Sequence, residues 1–376
     1  MELKEFAIWN FRSIEHLEVL DLQRFTLFIG PNNSGKSTIF RAIQALSTMM
    51  LKGDYPLTQS DRSAYTKSSD IRIQAKFAFT PDERNEVLTR AIQNVGPTAQ
   101  EQWTTLYSHV VKEHLTSVTA RLNRDPSSPI RTGVQIECPS EFDTELLRLS
   151  GRIPNPRLIE SMSDSIIIGL RQIIGMKLKF LGPIRRPQPQ VAAMATEDFD
   201  EDALNFLQSV YHHRGDDTPE YREWRALVQR VFPQLEEILV PPRPGSTTVS
   251  LGFREQGIDH TINLDAMSSG LQEALVILAR LVFSPPGSVI AIEEPEVHFH
   301  QDSLRKIVTL LTDASKTKQV LLSTHSGFFI VDDISREPEE IVEVYRTTEH
   351  GTKAKRLATE EDVDQAYNRL HGLPPS

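Results

Sequence analysis

The chain has a single cysteine, Cys138, and no long hydrophobic run. One cysteine cannot form a disulfide within the chain, which is typical of proteins of the reducing cytosol. The best apolar run, Ala274 to Phe283, contains Arg280 and is too short to span a bilayer. The first residues, MELKEFAIWNF, lack the apolar segment of a secretory signal. We therefore expect a cytoplasmic protein with no membrane partner.

Positive charge is also scarce. The 41 Lys and Arg residues are outnumbered by 51 Asp and Glu residues, which gives a net charge of −10. This balance argues against a protein coated by nucleic acid over its whole surface, and it leaves room for a local basic groove. The length of 376 residues, with 39% hydrophobic and 24% charged residues, fits one large α/β domain with insertions or two domains.

The stretch from Gly30 to Ser37 reads GPNNSGKS and matches the P-loop pattern G-x-x-x-x-G-K-[ST]. An apolar strand is predicted before it, at Phe25–Ile29, and a helix is predicted after it. The two glycines allow the loop to turn its N–H groups inward around a phosphate, and the helix adds its positive dipole end. Lys36 can reach the β- and γ-phosphates, and the Ser37 hydroxyl can bind Mg²⁺.

Two adjacent acids, Glu293 and Glu294, end a second predicted buried strand, Ser288–Ile292. Like charges at the end of an apolar strand destabilise a fold unless a cation neutralises them. A Mg²⁺ ion and a hydrolytic water would account for both, with Glu293 facing the metal and Glu294 orienting the water.

Two further segments are candidates for contacts with the γ-phosphate. A third predicted strand, Gln319–Ser323, ends next to His325, and this position favours such a contact. The segment Met267–Glu273 opens a predicted helix with two serines and a glycine, which is both a helix cap and an anion site. Most segments of this kind only cap a helix, so the pattern is weak when taken alone.

The remaining predicted elements divide the chain into two parts. The domain that carries the P-loop comprises residues 1–80 and 177–376, with a helical subregion at about 196–240, and residues 81–176 form an insertion. The insertion is predicted to be mainly helical because apolar residues from Trp103 to Leu122 recur at helical spacing. Another helix is predicted at Tyr221–Ile238.

Four segments together resemble the ATPase heads of the RecF/SMC branch of the ABC class, and the OLD-like ATPases in particular. In chain order they read IWNFRSIEHLEVLDLQRFTLFIGPNNSGKSTIFRAI, MSSGLQEAL, VIAIEEPEVHFHQD and VLLSTHS. The resemblance implies an α/β P-loop fold of the ABC type, a mixed sheet with flanking helices and helical insertions. The signature reads SSG where SGG is usual, Glu293 stands where Asp is commoner, and no Q-loop glutamine is evident. Arg185 and Arg186 could supply a basic contact near the site.

The same resemblance assigns a role to each candidate residue. Glu294 would be the catalytic base and His325 the switch histidine, with Lys36 also catalytic and Ser37 and Glu293 on the metal. Residues that would contact ATP come from the P-loop, the NFRS segment and the signature loop: Gly30, Pro31, Asn32, Asn33, Ser34, Gly35, Lys36, Ser37, Thr38, Asn10, Arg12, Ser268, Ser269, Gly270 and Gln272.

The resemblance also implies partners. ATP and Mg²⁺ would be the cofactors, and the signature loop of one protomer would complete the P-loop site of another in an ATP-gated homodimer. The protein would then be an ATPase switch or sensor that controls a separate effector, a nuclease or toxin, in bacterial defence or DNA maintenance. A higher oligomer and DNA binding stay open.

Two alternatives belong to other functional classes. One is an ATP-dependent assembly scaffold with slow turnover, and the other is a nuclease in its own right. The sequence shows no Toprim-type set of acids after His325 and no HNH-type histidine cluster, so we expect that the chain alone does not cut DNA.

Overall fold

A computed structural model gives the structure of the protein. It describes residues 1–53, 55, 57–66, 70–94, 108–124, 133–150, 156–194, 196–215, 217–240, 248–331 and 337–371. Within these ranges, no helix combines the length and the hydropathy needed to cross a membrane.

The strands alternate with helices in the pattern of an α/β protein. The strands are β1 (Glu2–Phe11), β2 (Ile14–Asp21), β3 (Phe25–Ile29), β4 (Ile71–Ala78), β5 (Ser117–Arg124), β6 (Gly133–Glu137), β7 (Leu178–Leu181), β8 (Gln190–Ala192), β9 (Leu235–Leu239), β10 (Thr248–Ser250), β11 (Gly252–Glu255), β12 (Ile262–Asn263), β13 (Val289–Glu293), β14 (Gln319–Thr324), β15 (Ile341–Thr347) and β16 (Gly351–Arg356).

The helices cover both faces of the main sheet. They are α1 (Lys36–Lys52), α2 (Pro81–Gln93), α3 (Ser140–Ser150), α4 (Pro156–Lys177), α5 (Phe206–Gly215), α6 (Pro219–Val231), α7 (Ser269–Phe283), α8 (Gln301–Ala314), α9 (Phe328–Val331) and α10 (Glu360–His371), with a further helical stretch at 108–114.

Eleven strands form one mixed sheet in the order β6-β5-β4-β1-β2-β16-β15-β3-β14-β13-β7. The five strands from β15 to β7 are parallel, and the other six add to them in antiparallel pairs. Since side chains alternate across a strand, the sheet separates two hydrophobic cores. Phe28 packs on the face covered by α1, whereas Leu27 and Ile29 pack on the face covered by α7.

Helix α7 is anchored on its side of the sheet by α6. Trp224 of α6 is fully buried, and its indole Nε1 donates a hydrogen bond to the Leu275 carbonyl of α7 at 3.1 Å. A buried indole satisfies its one donor in this way and fixes the contact of the two helices. Two small sheets, β8–β10 and β9–β11–β12, lie beside this core.

Two predicted helices are partly wrong. The helical prediction around Val118 and Leu122 fails because these residues lie in β5, which pairs with β4 and extends the main sheet. Val118, Ala120 and Leu122 are all buried, so the buried positions recur every second residue, which is the spacing of a strand. Trp103 lies outside the described residues. The helix predicted at Tyr221–Ile238 ends at Val231, and β9 follows.

The division into a head and an insertion stays a prediction. The described part of 81–176 contains helices α2, α3 and α4, and its strands β5 and β6 are continuous with the sheet of the head. The sequence pattern could not show this continuity, because β4 and β5 pair across a long stretch of chain.

Candidate functional site

The candidate site lies where three parallel strands end side by side. In the sheet, β14 separates β3 from β13, with Thr324 opposite Ile29 and Ser323 opposite Glu293. The loops that follow the carboxyl ends of parallel strands share one edge, which is where α/β proteins of this kind bind ligands. The P-loop, the acidic pair and His325 are therefore brought to one place.

The P-loop backbone requires glycine at both of its predicted glycine positions. A Cβ atom on Gly30 would overlap the Val344 carbonyl oxygen, and one on Gly35 would overlap the Thr352 side chain. Gly35 also has a φ of 108°, in the region that other residues rarely adopt. The loop is closed by a hydrogen bond from Ser34 N to the Pro31 carbonyl at 3.2 Å.

Lys36 is the buried cation of the site. Its side chain leads back over the loop, and Nζ donates to the Gly30 carbonyl at 2.7 Å and to the Pro31 carbonyl at 3.1 Å. Burial lowers the pKa of Lys36, and three carboxylates oppose that shift. They are Glu294, Glu296 and Glu293. A phosphate could replace the two carbonyls as the partner of this ammonium.

Glu293 has the environment of a metal ligand. Its side chain is buried, and neither carboxylate oxygen has a hydrogen-bond partner among the described residues. Burial raises its pKa, while the nearby Ser37 hydroxyl acts in the opposite direction. No group of three or more His, Cys, Asp or Glu in the described ranges could hold a metal ion. Mg²⁺ in phosphate sites usually takes one or two carboxylates with the phosphates, so Ser37 and Glu293 fit it.

Glu294 has a strained backbone. Its φ is 45°, in the left-handed region, and its amide donates to the Ser323 carbonyl at 2.8 Å. The carboxylate is partly exposed, and its Oε1 lies 3.7 Å from His325 Nδ1. Strain of this kind at a bulky residue persists only when its surroundings fix it, and it is common at functional sites.

Glu296 is a site residue that the sequence did not single out. Its Oε1 accepts hydrogen bonds from the Thr324 hydroxyl at 2.5 Å and from the His325 amide at 3.2 Å. The same oxygen lies 3.4 Å from His325 Nδ1. Glu296 therefore holds the end of β14 and faces the histidine ring. The only available signal was its place in the loop directly after the acidic pair.

Asn10 and Arg12 were predicted to contact ATP, and in this structure both contact other residues of the protein. Asn10 donates to the Asp70 carbonyl at 2.7 Å, and Arg12 Nε donates to Asp61 at 2.8 Å. Their neighbour Ser13 is closer to the P-loop, since its hydroxyl lies 2.8 Å from that of Thr38. No pattern in the sequence marks Ser13, because its contact with Thr38 depends on the sheet register. Asn32 and Asn33 are exposed in the P-loop, with Asn33 at a φ of 65°.

The signature segment forms the start of α7. Ser268 is the helix cap and accepts a hydrogen bond from Leu271 N at 3.4 Å, whereas Ser269 is exposed. Gly270 packs against the His298 backbone so closely that a Cβ atom would overlap its carbonyl. The Gln272 amide donates to the Leu264 and Met267 carbonyls, so it holds the loop that precedes the helix.

A cavity of about 720 Å³ lies between this segment and the acidic loop. Its walls include Ser269 from α7, Glu294 from the acidic loop and Arg186 from the chain after β7, and no P-loop residue lines it. Within one chain, the signature segment and Glu294 therefore line the same cavity, and the P-loop does not.

Two family models match the sequence. One, described as "AAA ATPase domain", matches residues 1–132. The other, described as "AAA domain, putative AbiEii toxin, Type IV TA system", matches residues 118–332, which is more than half of the chain. Among curated proteins, the OLD nuclease of Thermus scotoductus is 25% identical over 348 residues, covering 89% of this chain. The chain spans 60% of the length of that relative.

Solved structures confirm the predicted fold. The Smc head bound to the C-winged helix domain of ScpA is 14% identical and covers 96% of this chain and 100% of that chain, with a TM-score of 0.55. The Smc head domain with an extended coiled coil, bound to the C-terminal domain of ScpA from Pyrococcus furiosus, is 13% identical. It covers 96% of this chain and 98% of that chain, with a TM-score of 0.52. The fold is therefore that of an ABC-type P-loop head.

Proposed function

Because the chain belongs to the AAA-domain family whose model covers residues 118–332, in the ABC-like branch that includes OLD and SMC proteins, we propose that it binds and hydrolyses ATP. One observation carries the proposal. Lys36 is buried against the carbonyls of its own loop, close to the unpartnered carboxylate of Glu293. A phosphate with its metal ion would satisfy both groups at once.

The residues of the P-loop bind the phosphates in this proposal. Backbone N–H groups between Gly30 and Thr38, other than at Pro31, which has none, would bind the β-phosphate, and Lys36 would turn from its carbonyl partners to the phosphate oxygens. Ser37 and Glu293 would hold Mg²⁺, which would lower the charge on the phosphates when bound.

The acidic loop and the histidine supply the chemistry. Glu294 accepts a proton from the attacking water, because its carboxylate is exposed to the cleft and its backbone is fixed at both sides. His325 contacts the γ-phosphate, with Glu296 holding its backbone in place.

The exposed signature serines support the dimer that the resemblance implies. Ser269 faces a cavity that its own P-loop does not line, so we propose that the ATP of a second protomer enters there. ATP then stabilises the dimer because it contacts both halves. The SMC heads that share this fold are bound to ScpA, and we propose likewise that this head controls a separate effector.

The test is nucleotide binding and phosphate release by the purified chain with Mg²⁺. Lys36→Ala should abolish binding or turnover, because it removes the cation placed for the phosphates. Glu294→Gln should keep binding and slow hydrolysis about 10²-fold or more, as expected for loss of a general base. Lys316→Ala is the matched control, since this lysine is 74% exposed and its ammonium pairs with Asp313 at 2.8 Å. Wild-type turnover in Glu294→Gln would show that the base is assigned wrongly.

Slow ATP-dependent assembly is an alternative in another class. The same measurement separates it from a hydrolysing switch. A scaffold would assemble with ATP at equal extent in the wild type and in Glu294→Gln, whereas a switch would accumulate as an ATP-bound dimer only in the variant.

A further inference from the structure

Arg185 lies between two elements of the site that are far apart in the chain. It is 3% exposed, and it follows β7 in the loop after Leu181. One end of its guanidinium, Nη1, donates to Glu273 Oε2 of α7 at 2.6 Å. The other, Nη2, donates to the backbone carbonyl of Glu293 at the end of β13. A planar guanidinium can hold two partners in fixed directions, so the spacing of α7 and β13 is set by one side chain.

The carbonyl that Arg185 contacts belongs to the peptide between Glu293 and Glu294. On the other side of this peptide, the Glu294 amide is held by the Ser323 carbonyl at 2.8 Å. The peptide is thus fixed at its oxygen and at its nitrogen. These two bonds, with a third from Val297 N to the Glu294 carbonyl at 3.3 Å, hold the backbone of Glu294, whose φ of 45° is not a conformation that the residue prefers. Arg185 is therefore one of the groups that fix the backbone from which the Glu294 carboxylate projects.

The Glu273 end of the contact lies on the signature helix. Ser269 and Glu273 are separated by one helical turn, so they share a face of α7. Burial raises the pKa of Glu273, and the charge of Arg185 opposes that shift. A ligand that moves the start of α7 must move Glu273 with it, because the helix is rigid over one turn.

The segment that carries Arg185 is itself tied to the P-loop helix. The amide of Gly182, in the loop between β7 and Arg185, donates a hydrogen bond to the Glu201 carbonyl at 3.0 Å. The Glu201 carboxylate accepts a hydrogen bond from Gln44 and lies 3.5 Å from Arg41, both on α1. The loop that carries Arg185 is therefore also held from the P-loop side of the head.

We propose that Arg185 is a positioning residue that couples the signature helix to the catalytic carboxylate. It rests on the proposed function: when ATP from a second protomer engages Ser269, α7 moves Glu273, and Arg185 transmits that movement to the 293–294 peptide. The carboxylate of Glu294 reaches its productive direction only when the signature helix is engaged. Hydrolysis is thereby linked to dimer formation in a head where no Q-loop glutamine is evident.

The simpler alternative is an ion pair that only stabilises the fold. Removing one member of a buried pair leaves an unpaired charge and destabilises the protein, whereas removing both is often neutral. The variants are therefore Arg185→Met and the double variant Arg185→Met with Glu273→Met. Arg280→Met is the matched control. Arg280 is a second buried arginine, on α7, and its partners are Asp198 and the Phe199 carbonyl and not the 293–294 peptide.

Three quantities are measured in each variant: the melting temperature, the Kd for ATP, and kcat. Arg185→Met should melt at a lower temperature, bind ATP within about threefold of the wild type, and show a kcat lower by about 10²-fold, the typical effect of a misplaced catalytic group. The double variant should regain the melting temperature and keep the low kcat. Arg280→Met should lose stability and retain its kcat below its melting temperature.

Hydrogen exchange of the Glu294 amide is a readout that needs no hydrolysis. It should be faster in Arg185→Met and in the double variant than in the wild type, and unchanged in Arg280→Met. A double variant with wild-type melting temperature, kcat and exchange would overturn the proposal and leave an ion pair only. Failure of the proposed function is distinguishable from this, because then the wild type would not turn over ATP, and the exchange result would still decide the role of Arg185.

Discussion

Replacing Glu294 by glycine and, separately, by alanine should reverse the usual order of stability of these two residues. Both changes remove the carboxylate and its contacts, so they differ only in the Cβ atom. At a φ of 45° a residue with a Cβ carries a left-handed strain of about 1–2 kcal/mol, which glycine does not have. Glycine loses about 0.5–1 kcal/mol more conformational entropy on folding than alanine. Glu294→Gly should therefore be more stable than Glu294→Ala by roughly 0–1.5 kcal/mol.

Glu223 gives the matched comparison. It is an exposed residue in the interior of α6, where the backbone is helical. There Glu223→Gly should be less stable than Glu223→Ala by about 1 kcal/mol, the normal cost of glycine in a helix. The difference between the two sites isolates the strain at Glu294, because the intrinsic difference between glycine and alanine cancels to first order.

Urea unfolding of the nucleotide-free protein measures these differences, with the free energy of unfolding taken from variants of equal m-value. Both Glu294 variants should also lack hydrolysis. If Glu294→Ala is more stable than Glu294→Gly by as much as at Glu223, the left-handed backbone carries no strain and the argument fails. A stabilised but inactive Glu294→Gly would show that the wild type keeps a strained backbone for the sake of its carboxylate.

Two other predictions concern the composite site and the anchoring of α7. Ser269→Arg and Lys36→Ala proteins should each lack ATPase activity, and mixing them should restore part of it, since one intact site can form; confirmed mixed dimers without any rescue would refute the trans arrangement. Arg280 and Lys179 hold the pKa of Asp198 at about 2 against the opposing effect of burial, so its stabilisation is present above its ordinary pKa of 3.8 and is lost as pH falls toward 2. Asp198→Asn should therefore be less stable than the wild type near neutral pH, by about 1 kcal/mol after solvent screening, and urea unfolding should show this deficit shrinking between pH 4 and pH 2.

The parts of the site that sequence could predict are those formed by adjacent residues. The P-loop needs its strand, its glycines and its helix in direct succession, so Gly30 to Ser37 identified both the loop and its neighbours. The same holds for the acidic pair at the end of β13, where an apolar strand stops at two carboxylates. In each case the candidate site residues directly follow, in sequence, the strand that positions them.

The contacts that sequence missed join residues far apart in the chain, even where one member, Arg185, was itself named as a candidate. Glu296 holds His325 across two strand ends, and Arg185 contacts Glu273, far from it in the chain. No local pattern marks such a pair, because each member looks like an ordinary polar residue near a strand or helix end. The strand β5 was missed for a related reason: apolar positions four apart fit both a helical and an alternating pattern over a short stretch.

Several buried polar groups without a hydrogen-bond partner lie at the edge of the sheet that carries the P-loop and the acidic pair. Among the described residues, every buried carboxylate oxygen that lacks a hydrogen-bond partner belongs to Glu293 or Glu296, and the hydroxyls of Ser34 and Ser323 at the same edge are also unpaired. Buried polar atoms without partners destabilise a protein by about 1–3 kcal/mol each. Since Glu293 and Glu296 lie near Lys36, a charged ligand at this edge would give these groups partners. A metal–nucleotide complex that satisfied them would stabilise the head as it bound, so binding free energy and folding stability are linked at this site.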